Sequence, residues 1–328
     1  MTEPWSHFGD RLAQSVAAKD SAVCVGLDPR WEQLPGELTE TVPAGDWEAK
    51  ARATETYCRM VIDAVAEVAA VIKPQAAFFE LLGPPGLASL HRLVDHCQRQ
   101  GLLVVMDGKR GDIGSTAEGY GAAYLGPTSP WHCDSLTVNP YLGDDTLQPF
   151  VDRAHATGSG VFVLVKTSNA GSGFLQDLES DGAPVYRRVA KCVADLGRTH
   201  LGPQTGYGAI GAVVGATYPH QLAELRAAMP QSWLLIPGYG AQGGGADDVA
   251  AGFDDQGLGA IVNSSRGILF AFRRDEYRHL PWQEAIALAA RHMRDDLNRV
   301  RRRGNAASAA SASPATAQPE RGNTDEMG

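Results

Sequence analysis

The 328-residue chain has no excess of positive charge: 29 Lys and Arg stand against 38 Asp and Glu, a formal net charge of −9. That balance argues against sequence-independent binding of nucleic acid, which needs a basic surface to displace counterions. Any phosphate bound here must be met by local groups. Cysteine is sparse: Cys24, Cys58, Cys97, Cys133 and Cys192 are odd in number and never form a C-x-x-C pair. Neither a disulfide framework nor a zinc site is suggested, and a reducing compartment is expected. No run of about 18 apolar residues occurs, which removes the membrane as a partner. The N-terminal stretch MTEPWSHFGDRLAQS has no basic flank leading into an apolar segment, so a soluble, cytoplasmic protein is expected. There is no G-x-S-x-G elbow for nucleophilic hydrolysis. His91 and His96 are five apart on a helix, while His132, His155 and His200 are isolated. These histidines read as structural or surface residues, and no metal ligand is assigned.

What is present is a hydrophobic fraction of 44%, enough for a sizeable core. Eight short apolar runs recur: AVCVGLD (22–28), AAVIKPQ (69–75), LLVVMD (102–107), DSLTVNP (134–140), GVFVLVKTS (160–168), GAIGAVVGA (208–216), WLLIPG (233–238) and GAIVNSS (259–265). None alternates with polar residues, the pattern of strands covered on both faces, as in a parallel sheet. Helix-compatible segments fall between them at 47–69, 85–101, 183–197 and 219–229. The succession implies an α/β fold, a (β/α)8 TIM barrel, with a doubly wound open sheet as the weaker alternative. One barrel domain over 1–303 closes with an amphipathic helix at 280–303, whose basic end reads as solvated. An Ala/Ser/Pro-rich tail, 304–328, is expected to be disordered, because it offers too little apolar surface to offset ordering entropy.

In such a barrel the active site lies at the C-terminal ends of the strands. The polar residues there are Asp28, then Lys73, then Asp107 and Lys109, then Asn139, then Lys166, Thr167 and Ser168. The stretch VVMDGKRGDIGST crowds Asp107, Lys109, Arg110 and Asp112 into six residues. Asp107 and Lys109 are two apart, so on an extended backbone both side chains leave the same face. A lysine between two carboxylates keeps its charge even when partly desolvated, and Lys73 extends the array into an alternating chain. Of two G-x-G-x-x-G matches, GYGAIG (206–211) precedes its strand and reads as a loop. The other, GYGAQG (238–243), follows a strand and precedes a helical segment, the order of a phosphate-cradling turn. The last strand ends in NSSRG, offering Ser265, Arg266 and backbone amides beside that turn, the usual phosphate position in these barrels. No acidic residue closes that strand, so phosphate alone fits better than a dinucleotide.

Asp107-Gly-Lys109-Arg-Gly-Asp112-Ile113-Gly-Ser-Thr116 resembles the D-x-K-x-x-D-I-x-x-T signature of the orotidine 5′-phosphate decarboxylase family, most closely its long, actinobacterial form. VGLDPR, KPQAAFFE, KTSNAGS, PGYGAQGG and NSSRGI resemble further family blocks, in family order. The resemblance implies a homodimer that converts orotidine 5′-phosphate to UMP, the last step of de novo pyrimidine nucleotide synthesis, with no cofactor. It implies that Lys109 is the proton donor to C6, that Asp107 faces the substrate carboxylate, and that Lys73 links Asp107 to the ribose. Asp112, Ile113 and Thr116 are then expected in the partner subunit's site, Asp28 on a ribose hydroxyl, Thr167 and Ser168 on the pyrimidine edge. Gln242, Gly243, Ser265 and Arg266 fall to the phosphate.

Two residues depart from the family pattern: Gly108, where a larger apolar side chain is usual, and Ala170, where proline is frequent. The nearest rival is a magnesium-dependent sister barrel of the hexulose-phosphate synthase or ketogulonate-phosphate decarboxylase type. That chemistry wants a carboxylate after the second strand to help hold the ion, where this chain has Lys73. The insertion between Gly171 and Gly208 and the charge of Arg110 have no assigned role, beyond an expected structural salt bridge for Arg110 at the barrel rim.

Overall fold

The computed structural model describes residues 5–240 and 244–311, with 303–311 as backbone alone. Eight parallel strands form a closed barrel: β1 (Val23–Leu27), β2 (Val71–Pro74), β3 (Leu103–Arg110), β4 (Ser135–Val138), β5 (Gly160–Lys166), β6 (Ile210–Val214), β7 (Leu234–Ile236) and β8 (Ala260–Ser264). Each pairs in parallel with its sequence neighbours, and β8 returns to β1 through Val23↔Val262. Closure removes the sheet edges that an open doubly wound sheet would leave. All eight strands lie within the eight apolar runs, apart from the extension of β3 to Arg110. They are apolar throughout because side chains on one face fill the barrel and those on the other meet helices.

The helices follow the same logic. Trp47–Val65 and Gly83–Arg99 pack against each other and the sheet through buried stripes such as Tyr57, Val61 and Ile62 on one and Leu90, Leu93 and Val94 on the other. Asp46 starts the first of them, its side chain accepting from Ala49 N. An N-terminal helix, Phe8–Ala18, seals the floor of the barrel with Phe8 edge-on to Phe162. The segment after Gly171 is neither a long loop nor an appendage. It forms a short helix, Gly173–Gln176, a two-stranded hairpin (Glu179–Ser180 with Ala183–Pro184) and the crossover helix Val185–Gly197.

The closing helix runs Trp282–Ser311, over the place of the amphipathic helix expected at 280–303. The rest of the tail, 312–328, lies outside the described residues. The basic end of the helix is not simply solvated. Arg301 is buried, donating to Gly257 O, while Arg299 pairs with Asp247 and Arg302 with Asp20. No helix is long and apolar enough to cross a membrane among the described residues.

Histidines scattered in the sequence meet at the floor, which corrects their reading as isolated. The ring of His200 stacks on both His7 and His155, at 4.9 and 4.6 Å between centroids. Burial and the neighbouring His200 hold His155 below its ordinary pKa, and burial does the same to His7. Both stay neutral in the fold where the unfolded chain takes up protons. Their contribution to stability is therefore complete above about pH 6.5 and declines as the pH falls below it. Thermal melts should show a lower midpoint at about pH 5 than at about pH 7, and His155→Gln should flatten that dependence. An unchanged slope in the variant would remove the stack as its cause.

Candidate active site

The strand ends carry a chain of opposite charges centred on Asp107. Lys73 Nζ lies 2.6 Å from Asp107 Oδ2 and Lys109 Nζ 2.6 Å from Asp107 Oδ1. Gln75 Nε2 donates to Oδ2 at 3.0 Å and Thr137 Oγ1 to Oδ1 at 3.0 Å. The sequence suggested a lysine between two carboxylates; the chain alone instead builds a carboxylate between two lysines. Burial on its own would raise the Asp107 pKa, but Lys73 and Lys109 outweigh it and hold the carboxyl well below the usual range. Burial likewise disfavours the Lys73 ammonium, and Asp107 with Asp28 more than offsets this, raising its pKa. Both groups stay charged across the physiological range.

Asp107 and Lys109 do touch, although not by simple alternation along a strand. Between Met106 and Arg110, β3 takes four steps while β4 takes two, from Leu136 to Val138. Within this bulge Lys109 adopts a left-handed backbone, φ +45°, a conformation that costs a non-glycine residue on the order of 1–3 kcal/mol. Its N–H donates to Thr137 Oγ1 at 2.9 Å. Thr137 thus supports the strained residue and the carboxylate at once, and bulges beside active sites commonly re-aim a side chain in this way.

Beside the array opens a cavity of about 720 Å³. Lys73, Asp107, Lys109 and Thr137 form its charged side, and Leu164, Val213 and Leu235 its apolar wall. Thr167 and Ser168 line it with Asn139. Gly215 has a reason to be glycine: a Cβ there would stand 2.8 Å from Ser168 Cβ and 3.0 Å from Ser168 N, forcing the β5 end to move. The insertion supplies another wall. Gln176 accepts from Thr167 N at 2.9 Å and donates to Thr167 Oγ1 at 2.8 Å. Buried Lys166 reaches Asp177 at 2.6 Å and pins this segment to the barrel.

Asp28 stands at the end of β1 with its Oδ1 buried and unpartnered, and Ser265 Oγ is in the same condition. Such unpartnered groups are costly in a finished interior; the Asp28 oxygen suits a ligand's hydroxyl as acceptor, and the Ser265 hydroxyl can donate to a phosphate oxygen. Arg266 is exposed and opens the helix Arg266–Leu269 after β8. Gln242 and Gly243 lie outside the described residues. Asp112, Ile113 and Thr116 are not in this chain's array. Ile113 and Thr116 are exposed, and Asp112 accepts only from Ile113 N among the described residues. Arg110 bonds Glu80 at 2.6 Å and Tyr124 Oη at 3.1 Å, with its guanidinium over the Tyr120 and Tyr124 rings. It ties the end of β3 to neighbouring helices.

A model of the orotidine 5′-phosphate decarboxylase / HUMPS family matches residues 21–276. The chain belongs to this family. It is 51% identical to an orotidine 5′-phosphate decarboxylase of Rhodopirellula baltica, over 88% of this chain and 98% of the relative. Against the Deinococcus radiodurans protein of the same name, identity is 40% over 89% of this chain and 97% of that one. The solved structure of Leishmania donovani OMP decarboxylase superposes with a TM-score of 0.69 at 33% identity, covering 90% of this chain and 98% of that one.

Sequence reading missed Gln75, Thr137, Gln176 and Asp177. Gln75 follows Lys73 by two, and Thr137 was visible inside the run DSLTVNP; spacing along the β2 and β4 ends was a usable signal. Gln176 and Asp177 reach the site only through the folded insertion, which no local pattern reveals. The family departure at Gly108 proves mild. A Cβ there would meet Arg110 Nε at 3.4 Å and Leu136 Cδ1 at 3.5 Å, ordinary contacts. Gly108→Ala should leave the charged array intact and stabilise the fold by about 0.4–1 kcal/mol through the unfolded chain's lost freedom. A urea midpoint that falls instead would show that the bulge needs glycine.

Proposed function

We propose a division of labour among these residues for the reaction this chain catalyses, decarboxylation of orotidine 5′-phosphate to UMP in pyrimidine biosynthesis. Loss of carbon dioxide from C6 leaves an electron pair in the plane of the ring, where the π system cannot spread it. A cation fixed in advance beside C6 stabilises that pair directly. Lys109 is that cation, and its ammonium then delivers the proton to C6, becoming a neutral amine that solvent reprotonates. Asp107 faces the substrate carboxylate and holds Lys109 in place, while Lys73 bridges Asp107 to the ribose. Asp28 takes a ribose hydroxyl, Thr167 and Ser168 the pyrimidine edge, and Gln242, Gly243, Ser265 and Arg266 the phosphate. Binding energy from that distant phosphate presses the pyrimidine against the array. No metal or organic cofactor enters this scheme.

The observation that carries the proposal is the alternation Lys73–Asp107–Lys109, with both contacts at 2.6 Å. A magnesium-dependent sister enzyme wants oxygen ligands after β2; the buried Lys73 ammonium there repels a divalent ion. The active unit is a homodimer with shared sites. In support, the Asp112 carboxylate accepts from Ile113 N and pairs with neither Lys109 nor Lys73 among the described residues, and Ile113, Tyr141 and Leu142 leave apolar surface exposed near the strand ends where a second copy would sit. Five free thiols suit the cytoplasm.

The test is to follow orotidine 5′-phosphate absorbance with purified enzyme in excess EDTA. Full turnover is expected, with UMP and carbon dioxide formed in equal amounts. Loss of turnover that magnesium restores would overturn the scheme in favour of the sister chemistry.

A further inference from the structure

The floor of the barrel, opposite the catalytic strand ends, gathers a second set of ligand-type side chains. His91 and Asp95 lie one turn apart on the helix Gly83–Arg99, and His132 joins them from the loop before β4. His91 Nδ1 is 3.6 Å from Asp95 Oδ2 and His132 Nε2 is 3.4 Å from Asp95 Oδ1. One ligand atom from each residue falls within 4.8 Å of the other two. We propose that His91, Asp95 and His132 bind a single divalent transition-metal ion of the zinc class, remote from catalysis, which staples this helix to the loop.

The ligand set and the spacing both point to such an ion. Imidazole nitrogen and carboxylate oxygen are ligands zinc accepts, and three protein ligands leave a fourth position for water. Bonds of about 2.0–2.1 Å in a tetrahedron place neighbouring ligand atoms about 3.3–3.4 Å apart; one ligand atom from each residue already lies within 4.8 Å of the others, and each imidazole approaches a different oxygen of Asp95, at 3.6 and 3.4 Å. They are not the spacing of a direct bond. On the same helix, His96 Nε2 meets Asp63 Oδ1 at 2.6 Å, whereas neither imidazole closes on Asp95.

The surroundings favour a cation and hold the third ligand in place. No Lys or Arg pairs with Asp95 among the described residues; Arg92 and Arg59 are committed to Glu55. His132 has a left-handed backbone, φ +37°, uncommon outside glycine. Its N–H donates to Ser129 Oγ at 2.9 Å and its carbonyl accepts from Gln98 Nε2. The ring so aimed stands edge-on to His91, 5.2 Å between centroids, and His91 in turn lies beside Trp131. Partial exposure of all three residues leaves a path for the ion.

The experiment titrates tag-free, metal-stripped full-length protein with zinc chloride, then with cobalt chloride. One ion per chain is expected, with a melting midpoint that rises with zinc concentration and visible cobalt bands of a four-coordinate site. Outer-shell changes already weaken metal sites about 10- to 100-fold, so losing a ligand in His132→Ala or Asp95→Asn should cost at least about tenfold in affinity. The cobalt bands should disappear from both variants, while their metal-free melting midpoints and their decarboxylation rates stay at wild-type values. Absence of stoichiometric binding would overturn the proposal. So would binding that survives both substitutions, or that is lost in His200→Ala instead, which would place the ion on the His7–His200–His155 stack.

Discussion

Lys109→Ala is expected to lower kcat by at least about 10⁴-fold while the protein stays folded, the product of about 10²-fold or more from losing the acid and a similar factor from losing the cation. The substitution separates chemistry from folding unusually well. The Lys109 side chain is 46% exposed, so removing it uncovers little core. Asp107 keeps Lys73, Gln75 and Thr137 as partners and is not left as an unpaired buried charge. The backbone at φ +45° neither gains nor loses by the change, since alanine at that position bears the same strain as lysine. Circular dichroism and the melting midpoint should therefore match wild type. An alanine variant that keeps a near-wild-type rate, followed by orotidine 5′-phosphate absorbance, would remove Lys109 from the role of acid.

The parts of this molecule that the sequence declared are those with a strong local cause. The eight strands were visible because a doubly covered strand is apolar along its length, and all but the extension of β3 to Arg110 fall inside runs such as AVCVGLD and GAIVNSS. Asp107, Lys109 and Lys73 were visible because charges directly after such runs have few other uses. Gly114–Tyr124, in contrast, went unmarked as a helix: GSTAEGYGAAY mixes glycine and small residues with no sharply segregated apolar face. The left-handed turn at Lys109 was equally hidden, because a bulge is set by pairing with β4 and not by the residues in it. The same holds for His91 and His132, forty-one positions apart and joined only by the floor of the barrel.

The direction of Asp112 leads to the second large effect. Its carboxylate accepts from Ile113 N and reaches neither Lys109 nor Lys73, so in this chain a carboxylate of the family signature stands idle beside its own array. If it completes the site of a second copy, Asp112→Ala and Lys109→Ala homodimers should each be nearly inactive. Mixing them restores some sites. In a hybrid dimer, one site takes Lys109 from the Asp112→Ala chain and Asp112 from the Lys109→Ala chain and is intact, while the other lacks both. With equal amounts and free exchange, half the dimers are hybrids with one good site in two, so about one quarter of wild-type activity should return. A site built from one chain gives a different result, because every site in every dimer then carries one lesion and no activity returns. Subunit exchange must be proven independently, for instance by energy transfer between labelled copies. Exchange without recovery would assign Asp112 to its own chain and remove the reason to share the site.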